Sequence, residues 1–258
     1  MYAGIDIGSL TTKAVLINNE KIIGYKIIKT GSDPKQAGEI VFDKVIAEAG
    51  CEKKEVKYIV ATGYGRVSLS FADHAVTELT CHARGVRHLD PAIDFIIDIG
   101  GQDSKTIKLG KNGNVVDFVM NDRCAAGTGR FLTMMAQALE VDMKKFSEFS
   151  ISSQKPCPIN STCIVFAESE IISLLASGEA KEDIAAGLIQ SIAKRVGNMA
   201  KRIGTNQNIA FVGGGAKNLG LRKALEETLK INFIPIKVEP QITGALGAAV
   251  LACKQYGG

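Results

Sequence analysis

The chain has 258 residues, of which 46% are hydrophobic and 22% are charged, and its formal net charge is +4. These values are typical of a globular protein with room for two compact lobes, and they exclude a disordered chain. The basic residues form only short pairs such as Lys53-Lys54 and Lys144-Lys145, which argues against nucleic-acid binding.

The sequence contains no signal peptide and no apolar run long enough to cross a membrane, so we expect no membrane association. Its six cysteines, without a secretion signal, indicate free thiols in a reducing compartment rather than a disulfide framework. We therefore expect a cytoplasmic location.

The first part of the chain alternates strand and helix patterns. Residues 2–8 predict a short apolar strand that ends in Asp6-Ile7-Gly8, and a β-hairpin follows with its polar turn at Asn18-Asn19. Apolar residues at regular spacing then predict further elements. These are a helix over 34–49, a strand over 57–61, a glycine-rich turn over 62–66 and a helix over 74–87.

A second unit opens at the predicted strand 95–99 and repeats the first. Asp6-Ile7-Gly8 matches Asp98-Ile99-Gly100 at an offset of 98 − 6 = 92. Thr12-Lys13 matches Ser104-Lys105 at the same offset, 105 − 13 = 92. A hairpin follows in both copies, so the sequence predicts a duplication.

The last part of the chain adds elements around a third glycine-rich turn. It predicts a helix over 184–202, a strand over 209–212, the turn Gly213-Gly214-Gly215, a helix over 219–229, a strand over 233–238 and a final helix from Gly244. We place one lobe at 1–92 and the other at 93–243. We expect the final helix, 244–258, to return to the first lobe.

Each copy of the repeat ends its first strand in Asp-x-Gly, a pattern that presents backbone N–H groups to an anion. Asp6 and Asp98 would lie beside a bound polyphosphate, where carboxylates hold hydrated Mg²⁺ or orient water. One such loop alone could be an ordinary turn, but two of them with Gly213-Gly214-Gly215 favour nucleotide binding. The chain has neither GxxxxGK[ST] nor GxGxxG, which excludes a P-loop and weighs against a Rossmann dinucleotide site.

Two cysteines stand at predicted helix starts. Cys124 opens a helical pattern within 121–140, and Cys163 opens another within 160–178, directly after the good N-cap residues Ser161-Thr162. The positive end of a helix dipole favours a thiolate, so both are candidate soft-metal ligands. Iron–sulfur clusters usually need four ligands, which a twofold dimer would supply by pairing both cysteines with their symmetry mates. The alternative is two buried thiols.

Several motifs together resemble known ATPases. The two Asp-x-Gly loops and FVGGGAKN (211–218) resemble the phosphate-1, phosphate-2 and adenosine motifs of the ATPase superfamily of actin, hexokinase and heat-shock chaperones. Essentially the whole chain resembles the activators of 2-hydroxyacyl-CoA dehydratases, a family that includes ATPase subunits of benzoyl-CoA reductases and reductases of double-cubane-cluster proteins. The motifs are ATGYGR (61–66), ELTCHARG (78–85), DIGGQDSK (98–105), MNDRCAAGTGRF (120–131), STCIVFAESE (161–170) and TGALGAA (243–249).

This resemblance implies an α/β fold of two ribonuclease-H-like lobes, a duplicated βββαβαβα, with ATP in the cleft between them. It implies a homodimer in which Cys124 and Cys163 of both subunits hold one bridging 4Fe–4S cluster. The implied activity is an ATPase coupled to electron transfer, in which reduced ferredoxin or flavodoxin supplies a single low-potential electron. The acceptor would be an iron–sulfur enzyme of the 2-hydroxyacyl-CoA dehydratase type or a double-cubane-cluster protein, in an anaerobic cytoplasm.

The resemblance also implies roles for individual residues. Asp6 and Asp98 are expected to bind Mg²⁺ through water and to position the attacking water, which Gln102 would orient. Lys13 and Lys105 are candidates for phosphate contact or, equally, for solvated strand lysines. The expected nucleotide-binding residues are Gly8, Ser9, Thr11, Thr12, Lys13, Gly100, Gly101, Gly213, Gly214, Gly215 and Lys217.

Some alternatives remain open. A small-molecule kinase of the same superfamily, acting on a sugar or a carboxylate, is the second hypothesis, and a nucleotide-binding assembly protein without redox activity is the third. Cys157 stands six residues before Cys163 and is either another cluster ligand or a loop thiol, and the flanking Pro156 and Pro158 favour a loop.

Overall fold

The computed structural model describes residues 1–121, 125–159, 163–205 and 208–256, and it has the predicted α/β fold with two β-sheets. In chain order the strands are β1 (Tyr2–Ile7), β2 (Thr11–Asn18), β3 (Lys21–Lys29), β4 (Tyr58–Thr62), β5 (His74–Ala75), β6 (Phe95–Ile99), β7 (Ser104–Leu109), β8 (Val115–Asn121) and β9 (Ile209–Val212). The helices are α1 (Pro34–Ala49), α2 (Glu78–Leu89), α3 (Gly129–Ala138), α4 (Met143–Ser152), α5 (Ile164–Ala176), α6 (Lys181–Arg202), α7 (Leu219–Leu229) and α8 (Thr243–Tyr256). Among the described residues, no helix is both long enough and apolar enough to span a membrane.

The chain divides into two compact units. The first comprises Met1–Asp94, Leu109–Val116 and Pro235–Gly258, and the second comprises Phe95–Lys108 and Asp117–Ile234. The last helix, α8, therefore falls within the first unit.

The sheet of the first unit has the strand order β3-β2-β1-β4-β5, in which β1 runs antiparallel to β2 and parallel to β4. Successive side chains of a strand point to opposite faces of its sheet. On β2, Ala14 and Leu16 pack in one cluster with residues of α1, whereas Val15 and Ile17 pack in another with residues of α8. Both faces of the sheet are therefore buried, which explains the nearly continuous apolar run of β2.

The sheet of the second unit has the order β8-β7-β6-β9, in which β6 runs antiparallel to β7 and parallel to β9. Every residue of β6 is buried. Phe95, Ile97 and Ile99 of this strand pack into a core that also holds apolar residues of α3, α4, α5, α6 and α7. This packing fixes the strand that carries Asp98.

The predicted duplication of the first hairpin is confirmed. Asp6 lies opposite Lys13 in the β1–β2 pair, and Asp98 lies opposite Lys105 in the β6–β7 pair. In each unit the strand that carries the aspartate is also flanked by a parallel strand, β4 or β9. Each aspartate is therefore held in the interior of its sheet by a strand on either side.

The helix predicted over 74–87 is wrong at its start. Helix α2 begins only at Glu78, because Thr77 takes the N-cap position and its side chain accepts a hydrogen bond from the Thr80 N–H at 3.4 Å. The preceding residues His74–Ala75 pair with β4 in a parallel arrangement. The start of the helix is thus set by its polar N-cap residue and not by the spacing of apolar residues.

The strand predicted over 233–238 is also wrong. The structure has only an isolated bridge in this stretch, between Ala210 and Ile234. Pro235 has no N–H to donate, so a sheet ladder cannot continue through it. The predicted helices over 34–49 and 219–229 are confirmed.

Candidate functional site

The loop after β1 holds a buried aspartate. The Gly8 N–H donates to the Thr11 carbonyl oxygen at 3.1 Å, which closes the turn. Asp6 is 3% exposed, and its Oδ2 accepts a hydrogen bond from Lys13 Nζ at 3.1 Å. Its Oδ1 is buried and has no hydrogen-bond partner among the described residues. A buried carboxylate oxygen without a protein donor suits a hydrated Mg²⁺, so Asp6 fits the predicted metal role.

The loop after β6 has the same form. The Gly100 N–H donates to the Asp103 carbonyl oxygen at 2.9 Å. Asp98 is buried, and Lys105 Nζ lies 3.3 Å from Asp98 Oδ2 and 2.7 Å from Asp103 Oδ1. The side chain of Lys105 is 1% exposed, so the alternative of a solvated strand lysine is wrong for this residue. Lys13, opposite Asp6, is likewise ion-paired.

A glycine after each parallel strand lies against the aspartate of the neighbouring strand. Gly63 follows β4 with a φ of 84°, and Gly213 follows β9 with a φ of 81°. A Cβ at either position would overlap the aspartate Oδ1 and lie 2.6 Å from the carbonyl oxygen of Ile7 or Ile99. Only glycine fits this approach. The turn after β4 in the first unit therefore corresponds to the turn after β9 in the second. The sequence prediction missed this relation, although both turns have the sequence Gly-x-Gly.

Two buried threonines fix the loop after β1 by hydrogen bonds from the protein interior. Thr30 donates a hydrogen bond from its hydroxyl to the Gly8 carbonyl oxygen at 2.7 Å. Thr12 Oγ1 lies 3.0 Å from Thr30 Oγ1, and both residues are buried. Because the Thr30 proton goes to Gly8, Thr12 is the donor of this second bond. Thr12 thus acts on the loop from the protein interior, and Thr30 is a residue that the sequence prediction missed.

The other predicted nucleotide-binding residues differ in their accessibility. Gly213 and Gly215 are buried, so they serve the backbone geometry of their turn. Residues with part or most of their surface exposed are Gly8, Ser9, Thr11, Lys13, Gly100, Gly101, Gln102, Gly214 and Lys217. Each of the three loops therefore has solvent-exposed residues that a ligand could contact.

Cys163 occupies the N-cap position of α5. Its side chain is exposed and makes no capping hydrogen bond. The predicted N-cap residues Ser161-Thr162 lie outside the described residues, and the helix starts at the cysteine itself. An exposed thiol at a helix N-terminus, without a capping hydrogen bond among the described residues, fits a metal ligand.

The other predicted ligand, Cys124, lies outside the described residues. The helix expected after it, α3, begins later than predicted: Thr128 is its N-cap, and the Thr128 side chain accepts the Phe131 N–H at 3.5 Å. Gly127, with a φ of 89°, cannot continue a helix in the N-terminal direction. The helix therefore starts at Gly129, five positions after Cys124 in the sequence.

The start of α3 is bonded directly to the loop after β6. The Gly129 N–H donates to the Gly100 carbonyl oxygen at 2.8 Å, and the Arg130 N–H donates to the Gly101 carbonyl oxygen at 2.9 Å. A Cβ at Gly129 would lie 3.0 Å from the same Gly100 oxygen. Two helix amides that have no partner within the helix are thus satisfied by the candidate phosphate loop.

Two residues shortly before α3, Ala126 and Gly127, are held by side chains as well. Asn121 Nδ2 donates to the Ala126 carbonyl oxygen at 2.7 Å, and the Ser104 hydroxyl donates to the Gly127 carbonyl oxygen. Arg195 of α6 donates to Asn121 Oδ1 at 3.2 Å. Ala126 and Gly127 are therefore bonded to β8 and β7, and Asn121 of β8 is bonded in turn to α6.

Cys157 lies in a loop, as one of the two alternatives predicted. It is 6% exposed, and its N–H donates to the Asp183 carbonyl oxygen at 2.9 Å. Burial, and then the Glu179 carboxylate 3.8 Å from its sulfur, raise the pKa of the Cys157 thiol. The group is thus held in its protonated form, which disfavours a role as a thiolate ligand.

The comparisons with known proteins decide the family. The model of the BadF/BadG/BcrA/BcrD ATPase family matches residues 3–252. The chain belongs to this ATPase family. It is 45% identical to the 2-hydroxyisocaproyl-CoA dehydratase activator of Clostridioides difficile, over 98% of this chain and 95% of the relative. It is 43% identical to the activator of lactoyl-CoA dehydratase of Anaerotignum propionicum, over 98% of this chain and 97% of the relative.

Solved structures agree with the fold of this ATPase. The activator of the 2-hydroxyisocaproyl-CoA dehydratase from Clostridium difficile with bound ADPNP matches with a TM-score of 0.93 and 45% identity, over 99% of this chain and 95% of that chain. The ROK hexokinase from Thermus thermophilus matches with a TM-score of 0.55 and 14% identity, over 98% of both chains. The second likeness concerns the fold alone. The predicted superfamily fold and the resemblance to dehydratase activators are both confirmed.

Proposed function

We propose that this ATPase is a reductive activator. It forms a homodimer, takes a low-potential electron from ferredoxin or flavodoxin, and uses ATP hydrolysis to drive that electron to an iron–sulfur partner of the 2-hydroxyacyl-CoA dehydratase or double-cubane-cluster type. The observation that carries the proposal is similarity over nearly the whole length to proteins named as dehydratase activators. The kinase alternative is supported by the shared fold alone.

The nucleotide is proposed to bind as Mg·ATP at the three glycine loops. Asp6 and Asp98 bind the ion through water and position the attacking water, and Gln102 orients that water. The buried Asp6 Oδ1, which has no donor among the described residues, supports this role. The remaining nucleotide-binding residues are Gly8, Ser9, Thr11, Thr12, Lys13, Gly100, Gly101, Gly213, Gly214, Gly215 and Lys217.

The redox site is proposed at Cys124 and Cys163 of both subunits. The accessible thiol of Cys163 supports this assignment, since its side chain is not used in capping α5. A 4Fe–4S cluster bound by these four cysteines supplies one-electron chemistry at a low potential. The buried, protonated Cys157 stays outside the ligand set.

The dimer surface is proposed to include one face of α5. Val165 is 66% exposed and Phe166 is 67% exposed, two and three residues after Cys163, and Ile172 is exposed two turns after Val165. Exposed apolar side chains of this size, grouped on one helix, are typical of a protein interface. A second copy of the chain would cover them and bring the two Cys163 thiols together.

The coupling of ATP hydrolysis to electron transfer is proposed to run through α3. Its Gly129 and Arg130 amides are bonded to the Gly100-Gly101 loop, so a loop that moves with nucleotide state moves the start of the helix. The segment before this helix carries Cys124. The chain therefore connects phosphate binding to cluster ligation within one unit.

The test is ATP-dependent electron delivery under anaerobic conditions. The reduced protein is mixed with Mg·ATP and the 2-hydroxyisocaproyl-CoA dehydratase, and reduction of the dehydratase is followed spectroscopically. We expect reduction with ATP and none with ADP or a nonhydrolysable analogue, and we expect Asp6→Asn to lower the ATP hydrolysis rate about 100-fold or more. Reduction that proceeds equally well with ADP would contradict the proposal, as would an Asp6→Asn variant with the wild-type hydrolysis rate.

A further inference from the structure

A buried histidine of the ELTCHARG motif contacts the start of α8. His82, on α2, is 3% exposed, and its Nδ1 lies 3.1 Å from Thr243 Oγ1. Thr243 is fully buried and is the first residue of α8. Gly247, one turn later, brings the two helices together, because a Cβ there would overlap the Cys81 carbonyl oxygen. The histidine thus bridges two closely packed helices.

The direction of this hydrogen bond follows from the second contact of the threonine. The Thr243 hydroxyl donates its proton to the Pro240 carbonyl oxygen at 3.3 Å. Since a hydroxyl has one proton, its oxygen accepts the bond from His82, whose Nδ1 therefore carries a proton. The histidine is therefore a donor that fixes the side chain of Thr243, and through it the first turn of α8.

The residue after Thr243 lies against the candidate catalytic aspartate. A Cβ at Gly244 would lie 3.2 Å from Asp6 Oδ2 and 3.3 Å from His82 Nε2. The backbone of the first turn of α8 therefore lies beside the Asp6 carboxylate, where the positive end of the helix dipole favours its negative charge. Lys13 holds the same oxygen, Oδ2, at 3.1 Å. Asp6 is thus located by a lysine and by a helix start.

We propose that His82 is a positioning residue for Asp6, acting through Thr243 and Gly244. By fixing the first turn of α8, it holds the carboxylate so that the free Oδ1 keeps the orientation that its water-bound ion requires. This inference rests on the proposed use of Asp6 in ATP hydrolysis. The effect is expected on the chemical step rather than on nucleotide affinity, because His82 and Thr243 are not among the loop residues that bind the nucleotide.

Two matched pairs of variants test the inference by steady-state ATP hydrolysis. Thr243→Val removes the acceptor oxygen, whereas Thr243→Ser keeps it. His82→Gln places an amide near Nε2 and loses the Nδ1 donor, whereas His82→Asn keeps a donor near Nδ1. We expect kcat to fall about five- to tenfold in Thr243→Val and His82→Gln, with KM for ATP within about twofold of wild type. Thr243→Ser and His82→Asn should keep kcat within about twofold.

The outcomes separate this inference from the proposed function. The inference is overturned if Thr243→Val and Thr243→Ser have equal kcat. It is also overturned if kcat falls in His82→Asn but not in His82→Gln. An equal loss in all four variants together with lower Tm values also overturns it, because the role would then be packing alone. An Asp6→Asn variant measured alongside isolates the cause: if it is inactive while Thr243→Val matches wild type, only the role of His82 fails. If Asp6→Asn keeps wild-type hydrolysis, the proposed role of Asp6 fails instead.

Discussion

At the scale of single residues, the two aspartates of the repeat differ in how their charge is balanced. Lys105 lies between the carboxylates of Asp98 and Asp103 and is 1% exposed, whereas Lys13 bonds Asp6 and is 12% exposed. A buried lysine is stable as a cation only when paired, and its removal takes this cation away from the buried carboxylate of Asp98. The ion pairs of the two loops therefore contribute unequally to stability.

The first prediction compares these two lysines. Lys105→Met is expected to lower the free energy of unfolding by about 3–5 kcal/mol, because it leaves the buried Asp98 without this cation. Lys13→Met is expected to cost less, since the Lys13 side chain is 12% exposed whereas that of Lys105 is 1% exposed. Urea unfolding of both variants measures the difference. Equal losses would show that burial of the lysine does not decide the contribution.

The second prediction concerns the pH dependence of stability through Cys81. Burial, with smaller contributions from Asp6 and Glu78, raises the pKa of the Cys81 thiol from 9.0 to about 12. Above pH 9 the unfolded chain releases this proton while the folded chain keeps it. The stabilising contribution of the thiol is therefore complete below pH 9 and is lost as the pH rises from 9 towards 12.

Cys81→Ala removes that contribution. Between pH 9 and 10.5, the free energy of unfolding of the wild type should fall more steeply than that of the variant, by about 1.4 kcal/mol per pH unit, which corresponds to one proton. Urea unfolding at several pH values checks the slopes. Parallel slopes for the two proteins would show that Cys81 ionises equally in both states.

At the scale of elements, α3 links a candidate phosphate loop to the segment of Cys124. The bonds from the Gly129 and Arg130 amides to the loop involve the backbone, so side-chain patterns alone could not predict them. The sequence did predict a helix here, but it placed the start at the cysteine. The Thr128 cap and the left-handed Gly127 decide the boundary instead.

The third prediction is that Gly129→Ala weakens coupling. The added Cβ would lie 3.0 Å from the Gly100 carbonyl oxygen, so the helix start must move away from the loop. We expect about tenfold fewer electrons delivered per ATP hydrolysed, with unchanged iron content, because two hydrogen bonds are strained. Arg130→Ala is the matched control, since its bond to the loop comes from the backbone N–H. Coupling at the wild-type level in Gly129→Ala would contradict the role of α3.

The fourth prediction concerns the exposed face of α5. Phe166→Glu is expected to convert the dimer to a monomer, because a charge would be buried in an apolar interface. The control is Ile40→Glu, an equally drastic change at an exposed apolar residue of α1. Sedimentation velocity measures the oligomeric state of both. A Phe166→Glu protein that stays dimeric would exclude this face from the interface.

At the scale of the whole molecule, the duplication is what the sequence predicts best. The matching offsets of two short motifs were enough to predict that the hairpin recurs in both copies, whereas the register that places each aspartate opposite a lysine was not predicted. The contact of Gly63 with Asp6 was not predictable in the same way, because it depends on the pairing of β4 with β1, two strands distant in sequence. The positions of Thr30 and Thr243 also depend on tertiary packing rather than on local patterns.

The second unit carries both cysteine segments. Its core combines the sheet with α3, α5 and α6, so the start of α3 and the start of α5 belong to one packed body. The proposed movement of the loop after β6 with nucleotide state would then act on the two proposed cluster ligands, Cys124 and Cys163, within a single unit. The central claim is that these two cysteines of each subunit bind one shared cluster.

The measurement that tests this claim most directly is iron and acid-labile sulfide per dimer after anaerobic purification. It is made on wild type, Cys124→Ala, Cys163→Ala and Cys157→Ala. The account predicts one 4Fe–4S cluster per dimer in wild type, loss of the cluster in the first two variants and full retention in Cys157→Ala, whose thiol is buried and protonated. Wild-type protein without iron, or iron that is lost only with Cys157, would contradict it.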